Sequence, residues 1–138
     1  MNALMRAAGN VNTALYRASK GRLGGKVKGM PILLLNVKGR NTGTLRTTPV
    51  AYFMEGDAYV VTGSAGGQPA EPNWFRNLRA TNTAVVEVGD RRLAVTVDVV
   101  GDAEHAGLWA ELVKHGAFFN DYQAKATRQI PLARLIPR

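Results

Sequence analysis

Residues 83–100 read TAVVEVGDRRLAVTVDVV and place two β-branched runs on either side of Gly89-Asp90. Runs of this kind are typical of strands, and a Gly-Asp pair between them favours a two-residue hairpin turn. The segment therefore predicts an antiparallel hairpin with strands at 83–88 and 91–100.

The rest of the chain continues this pattern of short apolar segments separated by turn residues. Further strands are expected at 32–37, 46–54, 58–62 and 131–136. The helical spacing of apolar residues predicts helices at 2–18, 71–80 and 103–115. Six strands with helices packed outside them predict a mainly β fold, arranged as a small barrel or half-barrel.

Helix ends and buried faces can also be predicted. Pro72 should open the second helix, and Asp102 should cap the third, which ends at Gly116. The expected buried stripe of the third helix consists of Leu108, Trp109, Leu112 and Val113. That of the first helix consists of Leu4, Ala8, Val11 and Leu15.

Length and composition limit the kind of protein. The 138 residues are 46% apolar and 20% charged and contain no cysteine. This fits one globular domain over 1–138, without disulfides or a cysteine-ligated metal. Apolar runs such as 31–35 are far shorter than the roughly 20 residues of a membrane span. We therefore expect a protein of the cytoplasm.

Positive charge is concentrated in the first third of the chain. Nine of the 18 Lys and Arg residues lie in 1–46, which contains no Asp or Glu, and the formal net charge is +8. Such an excess suits a polyanion, a phosphorylated small molecule or an anionic membrane face, although a solvated basic surface also explains it. Residues 1–20 are predicted to form a basic amphipathic helix, which leaves peripheral contact with an anionic membrane open.

Several classes of enzyme are excluded by the motifs that the chain lacks. His105 and His115 would lie about 15 Å apart along a helix axis and cannot share a metal ion, so no metal site is expected. Neither a P-loop nor a GxGxxG motif is present. Ser64 has Thr62 where a nucleophile elbow requires glycine. A chain with so little chemistry of its own either binds a ligand or uses a cofactor.

The densest polar stretch is the segment 38–49, KGRNTGTLRTTP. Its two glycines allow a tight turn with exposed N–H groups, and Arg40 and Arg46 carry forked donors that match phosphate or carboxylate. The alternative is a hairpin loop whose arginines face water. The segment is therefore a candidate anion site.

Two further segments can contribute to a ligand site. The turn 62–67, TGSAGG, precedes a predicted helix that carries Trp74, and its small side chains would let a planar ring lie against the main chain. Trp74 either flanks such a ring or packs in the core. Phe118, Phe119 and Tyr122 can cover an apolar pocket, with the Tyr122 hydroxyl as a donor, or pack on the barrel.

These motifs, in this order, resemble the deazaflavin-dependent nitroreductase family of actinobacteria, the class A F420H2-dependent oxidoreductases. The similarity runs from Tyr16 to the end of the chain and rests on 31–49, 62–67, 73–78, 121–123 and Ile130-Pro131. It implies a split β-barrel of the FMN-binding type that binds coenzyme F420, a 5-deazaflavin with a phosphate and a polyglutamate tail. It also implies a reductase that passes a hydride to an electron-poor acceptor, namely an activated alkene, a quinone or a nitro compound.

The resemblance further implies roles for particular residues. The phosphate and the start of the tail would be held by Arg40, Asn41, Thr42 and Arg46. The deazaflavin would be surrounded by Thr47, Thr48, Pro49, Val50, Ala51, Thr62, Gly63, Ser64, Ala65, Asn73, Trp74, Phe75, Arg76 and Asn77. Phe119 and Tyr122 would lie over the substrate, with Tyr122 as the catalytic donor. Many members have lysine at the positions of Asn41 and Ala65, and the candidates to replace those two cations are Lys26, Lys28 and Lys38.

Other functions stay open on the sequence alone. A non-enzymatic barrel that binds lipid or a small molecule at the membrane surface fits the basic N-terminus, and an FMN-binding relative fits the fold. Nucleic acid is not expected as a partner, because no RNP motif or recognition helix accompanies the charge. A small-molecule electron acceptor is the expected partner, and formation of a homodimer is left open.

Overall fold

The computed structural model describes residues 13–138. Most of the helix predicted at 2–18 therefore lies outside the described residues, and its last part is helix α1, Thr13–Ala18. Tyr16 is buried, whereas Leu15, which the predicted stripe placed inside, is 44% exposed. Tyr16 determines which face of α1 is buried. Its hydroxyl donates to the Ile32 carbonyl at 2.9 Å and accepts from the Gly89 N–H at 3.0 Å.

Within residues 13–138, eight strands form one curled antiparallel sheet. In chain order they are β1 (Lys26–Val27), β2 (Met30–Lys38), β3 (Leu45–Ala51), β4 (Phe53–Glu55), β5 (Ala58–Thr62), β6 (Thr83–Val88), β7 (Arg91–Val99) and β8 (Leu132–Pro137). The order across the sheet is β1-β2-β6-β7-β8-β5-β4, and β3 also pairs with β2. The predicted hairpin is present, since β6 and β7 are joined at Gly89-Asp90 with Val88 opposite Arg91.

The single strand predicted at 46–54 is divided at Tyr52. Before Tyr52, β3 pairs with β2; after it, β4 pairs with β5 at the far end of the sheet order. Tyr52 donates its main-chain N–H to the Pro31 carbonyl at 3.1 Å, so the chain is still held at β2 where it changes partner. This segment links the two ends of the sheet and curls it into a half-barrel.

Three longer helices follow α1: α2 (Asn73–Thr81), α3 (Asp102–His115) and α4 (Phe118–Lys125). Pro72 precedes α2 as predicted. The N-cap of α3 is Gly101 rather than Asp102, because Gly101 is extended and Asp102 is already helical. The Asp102 carboxylate therefore lies in the first turn, where unpaired N–H groups favour negative charge.

The two faces of β2 are buried in two different clusters, as its continuous apolar sequence requires. Ile32 and Leu34 pack in a cluster with residues of α1, α3 and α4. Leu33 and Leu35 pack in a second cluster with residues of α2, β6 and β7. The half-barrel thus has α2 against one face and the other helices against the opposite face.

The predicted stripe of α3 is only partly buried. Leu108 and Leu112 are in the core, while Trp109 and Val113 are half-buried. His105 takes the remaining buried position, with its Nε2 atom 2.7 Å from the Ile130 carbonyl oxygen. No helix within residues 13–138 combines the length and apolar character needed to cross a bilayer.

Candidate functional site

A cleft of about 750 Å³ opens between the loop after β2 and the start of α2. Its volume lies in the range of roughly 300–1,000 Å³ that is usual for ligand sites. Ten residues that the family resemblance implied line this cleft: Arg40, Asn41, Thr42, Arg46, Thr48, Ala65, Asn73, Trp74, Arg76 and Asn77. The fold therefore brings the 38–49 segment, the 62–67 turn and the start of α2 together.

The loop after β2 is closed by its own backbone. Gly39 donates its N–H to the Thr44 carbonyl and accepts from the Gly43 N–H, both at 2.8 Å. A Cβ atom on Gly39 would lie 2.8 Å from Thr42 Oγ1, closer than real contacts allow. Glycine at this position lets the Thr42 hydroxyl approach the main chain, where it accepts from the Thr44 N–H at 3.2 Å.

Arg40 is held across the cleft by two amide side chains of α2. Asn77 Oδ1 accepts from the Arg40 main-chain N–H at 3.0 Å and from its Nη1 at 2.8 Å. Asn73 Oδ1 accepts from Nη2 at 3.4 Å. Both partners are neutral, so the guanidinium is oriented while its positive charge is left uncompensated.

Three arginines give the cleft a positive charge: Arg40, Arg46 and Arg76. None of the three forms an ion pair with another residue of 13–138. Glu71 also lines the cleft, but its carboxylate accepts from Arg79 Nε at 3.0 Å and is neutralised there. The arrangement favours a ligand with phosphate or carboxylate groups.

The candidate replacement lysines lie elsewhere. Lys26, Lys28 and Lys38 are all exposed, and the structure does not bring them to the wall of the cleft. The cation that α2 contributes to the wall is Arg76, which is half-buried.

The other eight implied coenzyme residues do not line the cleft: Thr47, Pro49, Val50, Ala51, Thr62, Gly63, Ser64 and Phe75. Thr47 shows one reason. Successive side chains of a strand point to opposite faces, so Arg46 and Thr48 reach the cleft while the Thr47 hydroxyl donates to Asn36 Oδ1 on the other face. Phe75 is fully buried in the core.

Phe119 and Tyr122, the implied substrate residues, are both buried in the cluster that contains Ile32. Their rings pack edge to face with centroids 5.7 Å apart. The structure does not place either residue in the wall of the cleft. The Tyr122 hydroxyl accepts a hydrogen bond from Lys28 Nζ at 3.2 Å.

Helix α4 packs directly behind the turn 65–67. A Cβ atom on Gly67 would lie 2.4 Å from the Tyr122 carbonyl oxygen, so the two segments are in close main-chain contact. The segment 118–123, expected as an aromatic cover for a pocket, is thus a helix that supports one wall of the cleft from behind.

Sequence reasoning missed six lining residues: Val37, Gly39, Gln68, Ala70, Glu71 and Pro72. Gly39 was recognised as a turn residue and not as part of the wall. Gln68 to Pro72 lie between the 62–67 turn and α2. These residues directly connect the 62–67 turn with the 73–78 motif, and this position in the sequence was the signal that could have identified them.

Comparison with known proteins gives the family. The family model of the F420H(2)-dependent quinone reductases matches residues 9–137. The F420H(2)-dependent quinone reductase Rv1261c of Mycobacterium tuberculosis is 36% identical over 132 residues, which cover 93% of this chain and 89% of that protein.

Two solved structures are also similar. An F420-H2 dependent reductase, FDR-A, has a TM-score of 0.69 and 30% identity over 76% of this chain and 93% of its own. A chain that forms a domain-swapped dimer has a TM-score of 0.72 and 28% identity over 88% of this chain and 91% of its own.

These similarities confirm the split β-barrel with flanking helices that the sequence predicted. They also decide between the functional alternatives, because the matched family is one of coenzyme-dependent reductases and its model spans most of the chain. The chain belongs to the F420H(2)-dependent quinone reductase family, and it is an F420H2-dependent oxidoreductase whose cofactor is coenzyme F420.

Proposed function

We propose that the protein uses reduced coenzyme F420 to reduce a quinone to its quinol, and that the arginine-lined cleft holds the phosphate and carboxylates of the coenzyme. The observation that best supports this is the presence of Arg40, Arg46 and Arg76 in one cleft without an ion-pair partner among residues 13–138. An anionic ligand of the right size would supply the missing negative charge.

The residues of the cleft fit the chemical groups of the coenzyme. Arg40 and Arg46 offer forked donors for a phosphate, and Asn41 and Thr42 add an amide and a hydroxyl beside them. Ala65 is small and the partly buried Trp74 also lines the cleft, which suits a flat tricycle. In this proposal Asn73 and Asn77 act through Arg40, because their oxygens are already engaged with it.

Thr62, also implied as a ring neighbour, has a buried hydroxyl with no hydrogen-bond partner among the described residues. Buried hydroxyl groups are normally paired. Thr62 therefore offers an unused donor or acceptor at the end of β5, next to the turn that supplies Ala65 to the cleft.

When bound, the reduced coenzyme supplies a hydride. The quinone gains that hydride together with one proton and leaves as the quinol, so the electrons balance. The chain contributes binding, orientation and exclusion of water, of which orientation alone can supply a large part of a rate enhancement.

Tyr122 is the proposed proton donor. Because Tyr122 does not line the arginine cleft, this role requires the acceptor to bind on the side of α4 where Lys28 contacts its hydroxyl. Because Lys28 Nζ donates to its oxygen at 3.2 Å, the hydroxyl hydrogen is left for an oxygen of the acceptor. The ammonium group would also stabilise the negative charge that remains on the phenol oxygen. Phe118 and Phe119 pack edge to face on the Tyr122 ring and fix its orientation.

A homodimer is the proposed assembly, because a chain of similar fold and sequence forms a domain-swapped dimer. Size-exclusion chromatography with light scattering should give twice the monomer mass of 14.9 kDa. Elution as a species of the monomer mass at micromolar concentration would contradict the proposed assembly without affecting the proposed reaction.

The reaction is tested by anaerobic turnover. Purified protein is mixed with reduced coenzyme F420 and a water-soluble benzoquinone, and the return of oxidised coenzyme fluorescence is compared with the quinol formed. We expect one quinol for each coenzyme oxidised, at a rate above that without protein, and no protein-dependent increase over the spontaneous rate when reduced FMN replaces the coenzyme. A protein-dependent increase with reduced FMN alone, or coenzyme binding without protein-dependent quinol formation, would overturn the proposed function.

A further inference from the structure

We propose that Arg128, which lies outside the cleft, is a positioning residue for the coenzyme: it clamps the loop 63–70 that forms one wall of the cleft and adds positive charge behind that wall. The effect on coenzyme affinity rests on the proposed function of the cleft. The clamp itself can be tested without the coenzyme.

Within residues 13–138, the Arg128 side chain donates hydrogen bonds to main-chain carbonyl oxygens alone. Its Nε donates to Gln68 at 3.1 Å, and its Nη2 donates to Gly63 and Ser64 at 3.1 Å and to Ala70 at 3.3 Å. These carbonyls come from both arms of the 63–70 loop, which joins β5 to α2. One side chain therefore ties the start of the loop to its end.

The loop needs such a clamp because its own conformation is unfavourable. Ala65, Gly66 and Gly67 have φ angles of +45°, +66° and +84°, three left-handed residues in succession. For Ala65, which has a Cβ atom, this region is sparsely populated and costs free energy. The loop must therefore be held by contacts from outside it.

The clamped carbonyls are coupled directly to the wall of the cleft. Gln68 and Ala70 both line the cleft and both accept from Arg128. Ser64, a third acceptor, is joined to Ala65, which lines the cleft as well. Removal of Arg128 would therefore release the loop and displace three residues of the cleft wall, namely Ala65, Gln68 and Ala70.

The charge of Arg128 is not cancelled locally. No carboxylate within residues 13–138 forms an ion pair with it, and its buried Nη1 has no hydrogen-bond partner among those residues. Burial lowers the pKa of the Arg128 guanidinium; among the cleft residues, the Glu71 carboxylate acts to raise this pKa and Arg76 acts to lower it. A guanidinium keeps its proton in proteins even so, and Arg128 therefore adds to the positive potential of the cleft.

Lysine cannot replace this arginine fully. An ammonium group is a single point of charge, whereas the planar fork reaches carbonyls on both arms of the loop at once. Arg128→Lys should therefore keep the charge and lose most of the clamp, and Arg128→Gln should lose both. We expect coenzyme affinity to fall a few-fold in the first variant and about tenfold or more in the second.

Arg134→Gln is the matched control. Arg134 is also a multiply bonded, mostly buried arginine, but it lies on β8 and its partners are Glu55, Asp98 and Glu104. Its replacement should lower thermal stability without changing either coenzyme affinity or the mobility of the 63–70 loop.

The test combines hydrogen exchange of the free protein with fluorescence titration of oxidised coenzyme. Amides of 63–70 should exchange faster in Arg128→Lys and Arg128→Gln than in the wild type and Arg134→Gln, while β6 and β7 exchange alike in the wild type and the two Arg128 variants. Added ethylguanidinium should restore part of the affinity lost in Arg128→Ala.

Two results separate the possible failures. Unchanged exchange at 63–70 in Arg128→Gln, or an affinity loss no greater than that of Arg134→Gln, would overturn the positioning role. A wild-type protein that does not bind the coenzyme would instead overturn the proposed function of the cleft, and with it the expected effect of Arg128 on affinity.

Discussion

The side-chain oxygen of Asn77 accepts two hydrogen bonds from Arg40, one from its main-chain N–H and one from its guanidinium. Asn77 is buried in α2, whereas Arg40 belongs to the loop after β2. The contact joins the two sides of the cleft and aims a charged side chain into it without neutralising the charge. The cleft is therefore organised before any ligand binds, which reduces the entropy lost on binding.

Replacing Asn77 by alanine should weaken both the fold and the coenzyme site. The part-buried main-chain N–H of Arg40 would lose its acceptor, at a cost of about 0.5–1.5 kcal/mol in the free energy of unfolding. The released guanidinium should lower coenzyme affinity about tenfold, because a hydrogen bond to a charged group contributes roughly 1.5–3 kcal/mol. Urea unfolding and fluorescence titration measure the two effects.

Asn120→Ala is the control for this variant. Asn120 is exposed and accepts a hydrogen bond from Trp109 Nε1 at 3.1 Å, away from the cleft. It should change stability by no more than about 0.5 kcal/mol and leave affinity unaltered. If Asn77→Ala bound the coenzyme as tightly as the wild type, the positioning role of Asn77 would be wrong.

Substitutions at two glycines should change stability in opposite directions, because Gly63 is closely packed and Gly107 is not. A Cβ atom on Gly63 would lie 2.9 Å from Pro131 Cγ and 3.0 Å from the Phe75 ring, so Gly63→Ala should destabilise the protein by about 1–3 kcal/mol. Gly107, in α3, has no atom within 4 Å of such a Cβ. Gly107→Ala should stabilise the protein by up to about 1 kcal/mol through helix propensity. Thermal unfolding of both variants checks the sign, and an equal change in both would contradict this packing.

Glu87 should make stability depend on pH. The hydrogen bond from Arg17 lowers the pKa of its carboxyl below the ordinary value of 4.5, burial opposes this shift, and Asn36 supports it. Because the folded-state pKa is depressed, the stabilisation is present above the ordinary value and is lost as the pH falls through the folded-state pKa. Wild type should therefore be more stable than Glu87→Gln near neutral pH, and the difference should shrink on acidification.

Urea unfolding of both proteins between about pH 7 and about pH 3 measures this difference. Glu111→Gln, which removes an exposed carboxylate paired with Lys114, serves as the control and should show little dependence. If the difference in the free energy of unfolding between wild type and Glu87→Gln stayed constant across this range, the Arg17 contact would not be the source of the pH dependence.

Tyr122→Phe tests the proposed proton donor. Removing the hydroxyl should lower the turnover of a quinone about 100-fold or more, in line with the contribution of general acids, and leave coenzyme affinity unchanged. Tyr52→Phe removes a hydroxyl from a tyrosine that packs on Tyr59, and it should retain wild-type turnover. A Tyr122→Phe enzyme with wild-type turnover would exclude Tyr122 as the donor.

Local signals predicted most of the strands. The 83–100 hairpin and β5 depend on neighbouring residues and on short turns, and the sequence carries both. The break at Tyr52 carries no such signal, because residues 49–54 form one apolar run across it, and β3 and β4 separate only when they pair with opposite ends of the sheet. Closure of the half-barrel is thus a tertiary effect.

The candidate site likewise has a part that local sequence predicts and a part that only the tertiary structure determines. The loop with Arg40 and Arg46 is contiguous in sequence and could be identified as an anion site from its composition. The direction of the Thr47 side chain could not be predicted, because it depends on the register that places Thr47 opposite Asn36. Arg128 is a solitary arginine near the C-terminus, and only the folded chain places it against the 63–70 loop.

The central claim is that the cleft binds coenzyme F420 through uncompensated arginines, and fluorescence titration of the oxidised coenzyme at several salt concentrations tests it most directly. We expect saturable quenching that weakens with added salt and about tenfold weaker binding in Arg76→Gln. Arg91→Gln, which removes the same charge from the exposed first residue of β7, should bind like the wild type. The absence of quenching at tens of micromolar protein, or binding that ignores both salt and Arg76, would contradict the account.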